Sequence, residues 1–187
     1  MFTSSDLRKG LKIEIDGVPY AITEYNFQKP GKGQAIYTVK LKNMINGSTQ
    51  TKTYRPNDRI DKPNLTEKTM VYSYQDADDF IFMDDNYEQI TLKGETLGDN
   101  KLLLTEDIEV FVLYHNDTPI DIQLPNFVEK EIVETEPGAR GNTATNVLKP
   151  AKVEGGYEIS VPLFINQGDI VKIDTRTGEY ADRVLKK

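Results

Sequence analysis

An all-β fold, divided into three β-rich units of about 60 residues each, is the architecture this sequence predicts. Three observations carry that expectation. Few stretches place apolar residues at i, i+3, i+4 and i+7, so helical periodicity is scarce. Short segments of alternating apolar and polar residues dominate, broken by Gly, Pro, Asn or Asp every ~8–12 residues, the spacing of small β-barrels or sandwiches. The charge also changes along the 187-residue chain. Residues 1–64 carry 11 Lys and Arg against 6 Asp and Glu, residues 65–128 carry 3 against 14, and residues 129–187 carry 9 against 10. The expected units are therefore 1–64, 65–128 and 129–187, each with a thin core that packing against a neighbour would help to hold.

The first unit reads as a series of strands. In "LKIEIDGVPYAITEYNF" a Gly-Val-Pro turn separates "LKIEI" from "YAITEYNF". In "AIYTVKLKNM", Tyr37, Val39 and Leu41 share the parity expected to face a core, which leaves Lys40 and Lys42 in water. Between these runs "QKPGKGQ" reads as a hairpin tip. Asn46-Gly47 supplies the next hairpin turn. "PNDRIDKPN", rich in Pro, Asn and Asp, marks a boundary near residue 64.

The middle unit continues the pattern. "MVYSYQDADDFIFMD" reads as strand, acidic turn, strand, and "YEQITL" as a further strand. "KGETLGDNKLLLT" is expected to hold a short helix, and "IEVFVLYHNDTPIDIQL" to form two strands around His115-Asn116-Asp117. The third unit begins near residue 129, within "LPNFVEKEIVETEPGARGNTATNV". It ends in "ISVPLFINQGDIVKIDTRTGEYADRVLKK", read as three strands joined by a Gly turn and an Arg-Thr-Gly turn.

Composition narrows the function. Charged residues make up 28% and apolar residues 37%, normal for a soluble globular chain. No apolar run approaches the ~18–20 residues that span a bilayer, so no membrane partner is expected. "MFTSSDLRKG" lacks the basic-then-apolar pattern of a secretory signal. Cysteine is absent, which excludes disulfides, thiolate catalysis and Cys-based zinc sites and fits a cytoplasmic protein. The net charge of −7 opposes nucleic-acid binding by the chain as a whole. The basic first third nevertheless flags a polyanion partner for that segment, and the acidic middle would limit non-specific adhesion to RNA.

Catalytic chemistry is poorly supplied. The single histidine, His115, falls in a predicted hairpin turn and reads as a surface turn residue. Without Cys or a second His, most nucleophile–base pairs are missing, and no Gly-x-Ser-x-Gly or His-Glu-x-x-His pattern occurs. No catalytic residue, cofactor or metal site is expected. In the acidic stretch "DADDFIFMDDN", Phe80 and Phe82 interrupt the alternation a calcium loop needs, so it reads as two acidic turns flanking an apolar strand.

"PGKG" is not a phosphate-binding loop. That motif needs Gly-x-x-x-x-Gly-Lys-Ser/Thr at the start of a helix, whereas here Gly33 and Gln34 follow Lys32 and a strand comes next. The tip is longer than a two-residue turn requires, Pro30 stiffens its approach, and the glycines flanking Lys32 permit positive φ and remove side-chain bulk. Lys29, Lys32, Lys40 and Lys42 share one arm, a shape suited to a negatively charged crevice such as RNA offers.

Three patterns in order then resemble the bacterial elongation factor P family over essentially the full length. They are "KPGKGQA" followed by "VKLKN", then "LPNFVEKEIVETEPGARGNTA", then "KPAKVEGGYEISVPLFINQGDIVKIDTRTGEY", matched through Lys149, Ala151, Gly156, Val161, Pro162 and Gly168. The resemblance implies an L-shaped, tRNA-like monomer with an SH3-like (KOW-like) N-terminal barrel and two OB-type barrels. It implies binding to the 70S ribosome, through rRNA and ribosomal proteins, beside P-site peptidyl-tRNA and between the P and E sites. There the factor would stimulate peptide-bond formation and relieve stalling at consecutive prolines.

Lys32 matches the tip residue that many members modify, which implies a lysine-modifying enzyme as a partner. Lys29, Pro30, Gly31, Gly33 and Gln34 would present Lys32 near the tRNA CCA end, and Lys40 and Lys42 would contact RNA backbone. Gly141, Asn142 and Thr143 match a loop the family commonly writes Gly-Asp-Thr; Asn142 is a departure that loses a charge and keeps an amide. Tyr180 and Arg183 match positions associated with the small subunit, against the plainer reading of a strand-face aromatic and a solvated arginine. The competing readings are a general single-stranded nucleic-acid binder, a divergent paralogue with another tip, and a carboxylate-dependent hydrolase. The first is disfavoured by the lack of Trp and the acidic middle.

Overall fold

The computed structural model describes residues 1–137 and 147–185. Its strands are β1 (Phe2–Thr3), β2 (Lys12–Ile15), β3 (Val18–Gln28), β4 (Ile36–Asn43), β5 (Thr49–Tyr54), β6 (Arg59–Ile60), β7 (Leu65–Asp76), β8 (Asp79–Met83) and β9 (Gln89–Lys93). They continue as β10 (Glu109–His115), β11 (Thr118–Gln123), β12 (Phe127–Thr135), β13 (Leu148–Val153), β14 (Glu158–Pro162), β15 (Ile170–Asp174) and β16 (Glu179–Val184). One short helix, α1 (Gly94–Leu97), runs into a 3-10 helix at Gly98–Leu103, where the short helix was expected. The fold is all-β, as the alternation predicted.

The strands form a four-stranded sheet in the order β2-β3-β4-β5, a two-stranded sheet β1-β6, and two five-stranded sheets ordered β11-β10-β7-β8-β9 and β14-β13-β12-β15-β16. Packing divides the chain into two compact units. One holds Met1–Lys68 with Val112–Asp121, the other Thr69–Phe111 with Ile122–Lys187.

In the first unit, Leu7, Leu11, Ile13, Ile22, Val39, Leu41, Tyr54 and Ile60 make the core. Val39 and Leu41 are fully buried and Tyr37 packs against them, as their parity required. Each such aliphatic side chain contributes about 1.5–3 kcal/mol by leaving water. Lys40 is exposed, but Lys42, opposite Ala21 on β3 and Thr49 on β5, is partly buried.

The first hairpin corrects the expected Gly-Val-Pro turn. The turn is Asp16-Gly17, with φ of 50° and 79°, and Val18 and Pro19 already belong to β3. A two-residue hairpin of this twist needs positive φ at both central positions, which Asp-Gly supplies and Val-Pro cannot. Val18 closes the hairpin opposite Ile15, so Pro19 directs its missing donor away from β2. The same device recurs at Asn116 (φ 48°) and Asp117 (φ 66°) between β10 and β11. The β4–β5 hairpin turns through Asn46-Gly47 within the five-residue loop 44–48. There the Asn43 side chain accepts the amides of Ile45 and Asn46, and Gly47 takes φ 77°.

In the second unit, Met70, Phe80, Phe82, Leu92, Leu103, Leu104 and Val110 are buried, as are Val128, Ile132, Val153, Val161, Val171 and Ile173. Lys130 is also buried, only 3% exposed, and its Nζ donates to the Leu104 carbonyl at 2.7 Å. Burial holds its ammonium below the ordinary lysine range, and Glu154 opposes that in part.

Candidate functional site

The β3–β4 hairpin is the longest-paired in the first unit. Its rungs run from Tyr20 opposite Asn43 out to Phe27 opposite Tyr37 and Gln28 opposite Ile36. The outer strand β5 stops at Tyr54, opposite Tyr37. Beyond lies the loop 29–35, in which Lys29, Pro30, Gly31, Lys32, Gly33 and Gln34 are all exposed. The Gly33 amide donates to the Pro30 carbonyl at 3.3 Å, so Pro30 to Gly33 form a β-turn with Lys32 in its centre. Among the described residues Lys32 has no hydrogen bond or ion pair, and its ammonium is free at the end of the arm.

Of the two reasons expected for the glycines, positive φ does not hold. Neither Gly31 nor Gly33 takes a positive φ. A Cβ built on Gly31 meets nothing within 4 Å, and one on Gly33 only touches Pro30 at 3.6 Å, an ordinary contact. Neither dihedral nor internal space requires glycine at the tip.

Lys29 and Lys32 sit together on the tip. Lys40 and Lys42 do not: at the strand rise they lie about 13 and 20 Å back from Ile36. Lys40 reaches Glu24 at 3.9 Å, an exposed pair of small energetic weight.

Gly141, Asn142 and Thr143 lie outside the described residues. Tyr180 and Arg183 are both on β16. A bulge between Lys172 and Ile173 in the β15–β16 register places Tyr180 opposite Ile173 and Arg183 opposite Val171, so the two share one face despite their odd spacing. Arg183 is not simply solvated, because its guanidinium stacks on Phe164, 5.2 Å from the ring centroid. Burial raises the Tyr180 hydroxyl pKa, with Asp182 adding to the effect.

His115 is not a surface turn residue. It ends β10 with 7% exposure, and its Nε2 lies 3.6 Å from Glu14 Oε1, without a hydrogen-bond partner. Its burial comes from packing against a strand a hundred positions earlier in the chain, which local sequence does not reveal. The acidic turns are structural in part: Asp84 Oδ1 accepts the amides of Asn86 and Glu88, and Asp79 pairs with Lys93. Among the described residues no helix is long and apolar enough to cross a membrane.

Sequence reasoning missed the aromatic residues behind the tip. Phe27 and Tyr37 stack with centroids 5.0 Å apart at 55°. Their signal was available as two aromatics at equal distance from Lys32, one on each strand of the hairpin.

Comparison with known proteins matches this architecture throughout. Residues 3–60 match the family model "Elongation factor P (EF-P) KOW-like domain", residues 65–122 "Elongation factor P (EF-P) OB domain", and residues 128–183 "Elongation factor P, C-terminal". The chain is 46% identical over 185 residues to the elongation factor P of Desulfotalea psychrophila, covering 98% of this chain and 99% of that relative. It is 48% identical over 185 residues to that of Desulforapulum autotrophicum, with the same coverage. Among solved structures it is similar to a eukaryotic translation initiation factor 5A from Methanococcus jannaschii. That match has a TM-score of 0.48 at 21% identity and covers 63% of this chain and 88% of that one. An all-β chain matched by KOW-like and OB family models, with curated relatives named elongation factor P, is a translation elongation factor. It belongs to the elongation factor P family.

Proposed function

We propose that this factor binds the ribosome beside peptidyl-tRNA, between the P and E sites, and speeds peptide-bond formation at consecutive prolines by holding the tRNA CCA end. The proposed modules are residues 1–64, 65–128 and 129–187, in line with the three family matches. The observation that carries the reading is the tip. One unpartnered cation stands between two glycines that the fold itself does not need. A backbone stripped of side chains approaches a partner closely, and the cation meets phosphate or ribose oxygens there.

Positioning explains why a lysine alone suffices. Proline is a poor nucleophile and a rigid peptidyl residue, so its attack geometry suffers. Restoring a near-attack arrangement lowers the barrier without a proton-transferring side chain, at about 1.4 kcal/mol per tenfold in rate. Lys32 acts as an orienting hydrogen-bond donor, and its exposed Nζ is open to a lysine-modifying enzyme that would extend its reach. Lys29 adds charge at the tip, while Lys40 and Lys42 meet RNA backbone further back. Tyr180, Arg183 and the segment Gly141, Asn142, Thr143 are proposed small-subunit contacts.

A reconstituted translation system tests this reading. The factor should shorten synthesis across a run of prolines and leave a proline-free message unchanged. Equal times with and without it on the proline message would overturn the reading.

A further inference from the structure

We propose that Phe27, Tyr37 and Tyr54 form a positioning rung that fixes the direction of the tip carrying Lys32. This inference rests on the reading of Lys32 given above. Phe27 lies opposite Tyr37, and Tyr37 opposite Tyr54, so three adjacent strands each place one aromatic residue on the same rung and face. This is the last rung with three strands; Gln28 opposite Ile36 is the only pair beyond it.

The rung is graded from core to solvent. Tyr54 is 5% exposed and belongs to the core, Tyr37 packs against that core, and Phe27 is 46% exposed and lies outside it. The Phe27–Tyr37 ring contact, with Tyr37 packed against the core that holds Tyr54, thus carries the rigidity of the core outward to the base of the loop. Lys52 stands 5.0 Å from the Tyr54 ring centroid and covers the inner end. Such a device is needed because β2 pairs with β3 only up to Ala21. The outer part of β3 therefore has β4 as its single partner, and two-stranded ribbons twist readily. An aromatic left half in water on an arm that needs solubility is accounted for by this role.

The lever arm makes the rung consequential. Lys32 lies five positions beyond Phe27, at most about 17 Å of chain. A tilt of about 10° at the rung moves the tip by up to about 3 Å, against the ~1 Å misplacement that can cost ~100-fold in a positioning mechanism. Phe27 is a positioning residue; it acts through Lys32.

The test compares Phe27→Ala, Phe27→Tyr and Lys32→Ala in full-length factor. Two readouts are taken: amide hydrogen exchange at Gln28 and Ile36, and the rate of synthesis across a proline run as factor concentration rises. In Phe27→Ala, exchange at both amides should speed by about tenfold or more. The maximal stimulated rate should fall about tenfold, while the half-saturating concentration moves less than about twofold. Phe27→Tyr should restore both. Full stimulation by Phe27→Ala would overturn the proposal. Loss of stimulation with unchanged exchange would also overturn it, because Phe27 would then touch the partner directly. Full activity of Lys32→Ala would instead overturn the function proposed for the tip, and the exchange of Phe27→Ala would still decide whether the rung stiffens the arm.

Discussion

The rings of Phe27 and Tyr37 stand 5.0 Å apart across the last three-stranded rung of the first module's sheet. Tyr37 packs against the core and Phe27, on the same face, is half exposed beyond it, so the two should differ in what their loss does. Tyr37→Ala removes a core-packed ring and should destabilise the module by about 2–3 kcal/mol, whereas Phe27→Ala should cost about 1 kcal/mol. Chemical denaturation of the two variants checks this. Equal losses would mean that Phe27 belongs to the core after all.

Gly31→Ala should separate folding from function. The site is open and its φ is not positive, so alanine should leave stability unchanged or raise it by up to about 1 kcal/mol. Stimulation of proline-run synthesis should nevertheless fall, because the added methyl meets the partner. A variant as active as the parent would show that the glycine serves no outside surface.

Gly155→Ala should behave oppositely. Gly155 has φ +90°, and a Cβ there would stand 3.1 Å from the Leu102 carbonyl oxygen. Strained backbone and the tight approach to the Leu102 carbonyl together should cost about 2–3 kcal/mol in a melting experiment. Wild-type stability in this variant would show that the loop relaxes freely.

Lys130 makes a pH-dependent contribution whose sign follows from its burial. Its folded pKa lies below the ordinary lysine value of 10.5, so the unfolded chain binds the proton more tightly. The cost of burying the ammonium is fully present below the folded pKa and is relieved as pH rises from there toward 10.5. Wild type should therefore gain stability relative to Lys130→Met across that alkaline window. Denaturation curves for both proteins at neutral and alkaline pH check this, and a pH-independent difference would contradict it.

Much of this was legible in the chain. Alternation identified β4 and its core face, because Val39 and Leu41 sit in a strand buried on one side. Turn chemistry named the Asn116-Asp117 hairpin. The first turn was misplaced by reading Pro19 as a turn former, when Asp16-Gly17 supplies the positive φ that the hairpin's twist demands. His115 was misread because its buried surroundings include Glu14, distant in sequence. The tip was legible as a motif, and so was the small bulk of its glycines, but the positive φ expected of them is not found. Only the backbone geometry shows that Gly31 and Gly33 are unneeded by the fold. Tyr180 and Arg183 share a face through a bulge that their spacing alone conceals.

The most direct test of the central claim is the rate of peptide synthesis across consecutive prolines with Lys32→Ala in place of the parent factor. Lys32 is exposed and has no partner among the described residues, so the variant should fold as the parent does. It should lose most of the stimulation and approach the rate without factor. Stimulation equal to that of the parent would contradict the assignment of Lys32 as the group that orients the tRNA end.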